Sequence, residues 1–261
     1  MKFNRLATVI GAAVVLTASF AANATHSWAN YHWGRTSQDF PLQVIDSNTP
    51  DWDSELAQTL TDWSTSSAFN LSVTAYDDSS RTRKLCRAVS GKIRSCNASY
   101  GNNGWLGLAS INISGDHITQ GTAKMNDSYT AQFAVQNERD HVMCQEIGHL
   151  FGLDHQSTDG TSQNTCMDYS TSPTSTRPNQ HDYDMLVSKY AHLDSVNTYS
   201  TSLASTPLTA SQNSMAGEVP MGVRVHKGVF FETWAAPDGK GGTWIHHVFL
   251  AAGHENTDVS N

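Results

Sequence analysis

Gln145-Glu146-Ile147-Gly148-His149-Leu150-Phe151-Gly152-Leu153-Asp154-His155 is the stretch from which the rest of this 261-residue chain is best read. In an α-helix, residues four apart share a face, so Gln145 and His149 point the same way with Glu146 beside them. Gly152 then ends the helix, because glycine accepts the left-handed backbone that turns the chain back. That turn brings His155 round from outside the helix. The spacing therefore predicts a three-ligand metal site of Gln145, His149 and His155, with one coordination position left for water and Glu146 next to it.

Downstream, Thr165-Cys166-Met167-Asp168-Tyr169 places a methionine and a tyrosine two residues apart. Together the two stretches resemble the metzincin zinc metalloproteases, whose H-E-x-x-H-x-x-G-x-x-H helix is followed by a methionine turn. The resemblance implies an α+β catalytic domain with a twisted mixed sheet, an active-site helix, the methionine turn and a C-terminal helix. It implies zinc as cofactor and a protein or peptide as substrate. Met167 would form the floor of the site, and Tyr169 would lie close to the metal. Glu146 would act as general base, making the chain a zinc-dependent endopeptidase that needs no covalent acyl-enzyme.

The first ligand position departs from that motif. A glutamine amide oxygen is a poorer zinc ligand than an imidazole nitrogen, so affinity should fall. His141 cannot replace it, since two helical turns separate it from His149, a rise of about 12 Å. The gametolysin-like metzincins carry Q-E-x-x-H-x-x-G-x-x-H, so the resemblance implies that glutamine is compatible with the metal. The alternative is a catalytically inactive secreted binding protein on the same fold.

Lys2, Arg5, the apolar run from Leu6 to Phe20 and Ala22-Asn23-Ala24 read as an export signal over residues 1–24. No later run is long enough to span a bilayer, so a secreted or periplasmic product is expected. The net charge of −8 becomes about −10 once the two signal cations are removed, which argues against nucleic acid as a partner. A monomer is expected. Four cysteines in an exported chain favour disulfides. Three pairings are possible. The preferred one joins Cys86 to Cys96, closing a short loop, and Cys144 to Cys166, tying the active-site helix to the residue before Met167.

Catalytic-domain residues 25–194 divide into recognisable elements. Thr49 and Pro50 cap a helix carrying Trp52, Leu56, Leu60 and Trp63, tryptophans expected in the core. Leu71–Tyr76 and Trp105–Ile113 alternate as strands, and Leu106–Ile113 is the candidate edge strand that would pair with substrate. Asn137 is the expected cap of the active-site helix, and Asn179 of the helix holding Tyr183, Leu186, Val187, Tyr190 and Leu193. His181 and His192 flank that last helix and read as surface or core-edge residues, with His181 a reserve ligand. Asp77-Asp78 and Asp159-Gly160 are weighed as calcium ligands, but neither has a calcium-loop pattern and both read as turns.

Residues 195–218 are a Ser/Thr-rich linker. Residues 219–261 form a small antiparallel tail with strands at Val223–His226, Val229–Trp234 and Thr243–Leu250, expected to pack on the catalytic domain. Trp234, Trp244 and Phe249 are considered as a binding platform. His246 and His247 would face opposite sides of a strand, a poor pair for one metal.

Overall fold

A computed structural model describes residues 26–201 and 219–259; the expected export signal and most of the linker lie outside these residues. The architecture is α+β. Strands β1 (His32–Trp33), β2 (Pro41–Ser47), β3 (Asn70–Tyr76), β4 (Ile93–Ala98), β5 (Trp105–Ser114), β6 (His117–Asn126), β7 (Val223–Lys227), β8 (Phe231–Pro237) and β9 (Thr243–Leu250) join one sheet. Its order is β3-β2-β4-β6-β5-β9-β8-β7, with β1 pairing β6. The half around β2, β3, β4 and β6 is parallel, while β5, β6, β7, β8 and β9 pair antiparallel. The helices are α1 (Asp53–Trp63), α2 (Ser80–Leu85), α3 (Thr130–Phe133), α4 (Gln136–His149) and α5 (Gln180–Lys189).

Helix α1 packs on α4, and α4 lies against β5 and β6. Trp52, Leu56, Leu60 and Trp63 are buried as expected for an amphipathic helix facing a core. The chain enters α1 through a 3-10 turn at Pro50–Trp52, and Thr49 makes no side-chain cap; its hydroxyl instead accepts from Asn97 Nδ2 at 2.9 Å. Asn137 does not cap α4 either, because the helix starts one residue before it, at Gln136 after Val135. Asn179 does cap α5, in a capping box with Asp182. Of the stripe on that segment, Leu186 and Tyr190 are buried, whereas Val187 and Leu193 are exposed.

The expected edge strand is not an edge. β5 has β6 on one side and β9 on the other, paired from Trp105 and Leu250 to Ile113 and Thr243. The C-terminal strands thus pack on the rest of the chain by extending its sheet. Phe231, Ile245, Phe249 and Ala251 enter the same apolar core as α1 and α4. Trp234 is directly opposite His246 and shares its face of the sheet with Trp244, while Phe249 is on the other face against His141 and Tyr169. The three aromatic residues therefore form no common platform. Among the described residues no helix is long and apolar enough to cross a membrane.

Candidate metal centre

Helix α4 carries Gln145, Glu146 and His149 into the interior, and all are at most 1% exposed. Its terminal carbonyls are satisfied by side chains: Trp33 Nε1 donates to Leu150 O at 2.9 Å and the Tyr190 hydroxyl to Phe151 O at 3.1 Å. Gly152 then turns the chain with φ of +82°. A β-carbon there would meet the Tyr31 carbonyl oxygen at 1.9 Å, so this position requires glycine. After the turn, Leu153 bridges to Ser27 and the Asp154 amide donates to His26 O at 2.6 Å, which fixes the segment that presents His155.

The turn also sets the tautomer of His149. Its Nδ1 donates to Leu153 O at 2.9 Å, leaving Nε2 as a bare lone pair. His155 Nδ1 lies 2.8 Å from Asp154 Oδ1, within pairing distance though off the line of an ideal hydrogen bond. The two Nε2 atoms stand 3.1 Å apart. Donors on a tetrahedral ion with bonds of about 2.0–2.1 Å are about 3.3 Å apart, so this spacing suits a shared zinc-sized cation. Burial, with His155 alongside, pushes His149 down to about 3 and so keeps its nitrogen neutral, the form that binds metal.

A third imidazole arrives from the C-terminal strand. His247 on β9 offers a ligand atom within 4.8 Å of those of His149 and His155, and all three residues are buried. The Tyr169 hydroxyl is 2.8 Å from His155 Nε2 and 2.7 Å from His247 Nε2, and its ring stacks on Phe230 and Phe231. One phenolic proton serves one of those two nitrogens, while the other donates to the phenol oxygen or stands bare, as its tautomer sets. As alternation along a strand dictates, His246 faces away, 2.8 Å from Ser110 Oγ.

Glu146 is fully buried against β5. Gly107 and Ala109, opposite Phe249 and His247 in the sheet, are small enough to leave it room; a β-carbon on Gly107 would fall 2.5 Å from Glu146 Oε1. That oxygen has no hydrogen-bond partner, and Oε2 is 3.4 Å from His247 Nδ1. Burial drives the carboxyl well above its usual range, and the Ala109 backbone amide offsets only part of this. Tyr169 is likewise raised by burial, with Glu146 nearby as a second cause.

Gln145 is bound to the Met167 turn. Its Nε2 donates to Cys166 O at 2.9 Å and Asp168 O at 2.8 Å; both are acceptors, which fixes the nitrogen on that side. Its Oε1 is buried without a partner. His141 Nε2 donates to the same Asp168 carbonyl at 2.8 Å. The cysteines pair as Cys86–Cys96 and Cys144–Cys166, so the turn is joined to α4 covalently as well. Met167 is fully buried, its sulfur beside Gly148 where any side chain on α4 would collide with it. His181 is elsewhere, its ring tilted against that of His26 with centroids 4.7 Å apart. The Asp159 carboxylate accepts from the Ser157 hydroxyl and the Thr161 amide within its own turn.

The bare His149 Nε2, the His155 Nε2 3.1 Å from it and the His247 ligand atom within 4.8 Å form a buried donor set that fits a divalent cation, and Glu146 and Gln145 each keep a buried oxygen without a partner. His247 carries no sequence signal as a ligand, because its partners lie in a distant segment and only strand pairing brings them together.

No family model matches the chain, and no curated protein matches it. Among solved structures, the structure of myroilysin is matched at 13% identity over 64% of this chain and 98% of that one, with a TM-score of 0.37. That likeness is too distant to carry an argument, and the chemistry has to be read from the side chains.

Proposed function

We propose that the chain is an exported, zinc-dependent endopeptidase of the metzincin type. The observation that carries this reading is the 3.1 Å approach of the His149 and His155 Nε2 atoms, both buried, with the buried Glu146 carboxyl next along α4 and 3.4 Å from His247. His149 and His155 would hold the zinc, with Gln145 Oε1 or His247 Nε2 as the third donor and one position left for water. Bound there, zinc would polarise a peptide carbonyl and acidify water.

Glu146 takes the proton of the attacking water and returns it to the departing amine. Its raised proton affinity suits the return of the proton to the amine, and beside a bound cation the carboxyl would stay ionised for the first half of the exchange. The Tyr169 hydroxyl, held between imidazoles, donates to the oxyanion that develops. Met167 and the Cys144–Cys166 bridge keep the turn under α4. Because β9 seals Glu146 and His149 from solvent, turnover requires β9 to withdraw from β5 and take His247 with it, so His247 would be a donor of the closed form only.

Glu146→Ala should keep zinc, by metal analysis, while casein or gelatin cleavage falls roughly 10²–10⁴-fold, the usual range for a lost general base. A variant cleaving at the wild-type rate would refute the assignment. The sealed carboxylate also favours a second reading, a metal-holding binding protein without turnover. Zinc-loaded wild-type protein that never cleaves a chelator-controlled protein substrate supports that one.

A further inference from the structure

A second cluster of metal-ligating side chains lies outside the site described above, where β1 meets the segment after α5. His32 Nε2 and His192 Nε2 are 3.2 Å apart, and each is 3.4 Å from Asp194 Oδ1. The three donors make a nearly equilateral triangle. One face of a tetrahedral zinc site has edges of about 3.3 Å when the bonds are about 2.0–2.1 Å.

The surroundings orient these groups as metal ligands are oriented. His32 Nδ1 donates to Asn30 O at 2.7 Å, which leaves its Nε2 unprotonated and aimed at the other two donors. The Arg35 amide donates to Asp194 Oδ2 at 2.9 Å and so holds the carboxylate with Oδ1 towards the imidazoles. His117, at the start of β6, reaches the same Oδ1 from outside the triangle at 3.1 Å. His32 and Asp194 are largely buried, whereas the His192 side chain is half exposed, which gives an ion a way in.

We propose that His32, His192 and Asp194 bind a divalent transition-metal ion of the zinc class, with His117 positioning the carboxylate. Two imidazoles and one carboxylate suit zinc and its neighbours; calcium and magnesium favour all-oxygen shells. The ion joins β1, which pairs with β6 at only two positions, to the end of α5. It therefore acts as a staple for the N-terminal segment. This site does not depend on the peptidase reading.

The test uses full-length protein and zinc alone, in four forms: wild type, His149→Ala/His155→Ala, His192→Ala, and the triple variant. Zinc equivalents are measured by metal analysis and affinities by competition with a chromophoric chelator. If both sites exist, wild type holds two equivalents, the double variant and His192→Ala one each, and the triple variant none. His117→Ala, in the double-variant background, should weaken zinc roughly 10–100-fold, as loss of a group that orients a ligand does. A folded double variant that binds no zinc overturns this proposal and leaves the peptidase reading standing. Wild type with one equivalent, kept in the double variant and lost with His192→Ala, supports this site and removes the metal from the other. Folding of each form is checked by circular dichroism. Because His192 is half exposed, its truncation leaves a variant fit for the measurement.

Discussion

In the proposed zinc site, Gln145 and His247 are rival donors for the position that a third histidine occupies in the metzincin motif. Gln145 already spends both amide hydrogens on the Cys166 and Asp168 carbonyls, and its remaining oxygen is neutral. His247 offers a neutral nitrogen, kept so by burial and by His149 and His155 beside it, and imidazole is the better zinc ligand. His247→Ala is therefore expected to weaken zinc at least tenfold, about 1.4 kcal/mol. Gln145→Ala should instead lower folding stability by about 1–3 kcal/mol, through the two hydrogen bonds lost to the Cys166 and Asp168 carbonyls, with a smaller change in affinity. Competition titration and urea melts read the two effects separately; the reverse pattern returns the role to Gln145. At this scale the helical spacing made Glu146, His149 and the Gly152 turn legible, since local geometry follows from local sequence. His247 was not, because nothing in its neighbours Ile245 and Phe249 marks where their face will point.

Between α1 and α4 a buried ion pair links the first helix to the one that bears the site. Glu55 Oε1 accepts from Arg139 Nε at 2.7 Å and Gln136 Nε2 at 3.0 Å, while the Arg139 guanidinium lies 4.0 Å from the Trp52 ring centre. Burial alone would raise Glu55, but the hydrogen bonds, that from Arg139 first, outweigh it and hold the carboxyl below its ordinary 4.5. A carboxyl whose folded pKa is depressed adds stability that is complete above the unfolded value and is lost as pH falls through the folded one. Wild-type stability should thus decline below about pH 4.5, and Glu55→Gln should remove this part of the decline. At neutral pH the same variant should cost about 1–3 kcal/mol in a urea melt. Parallel pH curves for the two proteins would show that Glu55 is not responsible. Helices α1 and α5 are readable from apolar periodicity, α4 from the spacing of its ligand motif and Asn179 from its capping chemistry, whereas α2 and α3 are too short to show a period. β5 was correctly read as a strand but not as an interior one, because alternation reports which faces are buried and says nothing about which strand lies alongside.

Across the whole molecule the C-terminal strands decide whether the chain is an N-terminal unit with an appendage or one continuous sheet. Composition separates them cleanly, through the Ser/Thr-rich stretch, and so suggests an appendage. Packing couples them: Phe231, Ile245 and Phe249 are each at most 7% exposed within the common core, and β9 covers β5 along its length. Burying three such side chains contributes on the order of 5–9 kcal/mol, comparable with the roughly 5–15 kcal/mol that holds a whole domain. A chain ending at Thr201 would also leave the Leu106–Ile113 backbone as a long, apolar edge, which invites association with other chains. Such a truncation should lose its cooperative thermal transition by circular dichroism and elute as aggregate in size exclusion. A monomer melting at the wild-type temperature would instead mean that the strands are a separable cover. In that event removing them exposes Glu146 on a folded scaffold that also lacks His247, and cleavage of a protein substrate by the truncated chain at saturating zinc, against His247→Ala, measures what the cover withholds.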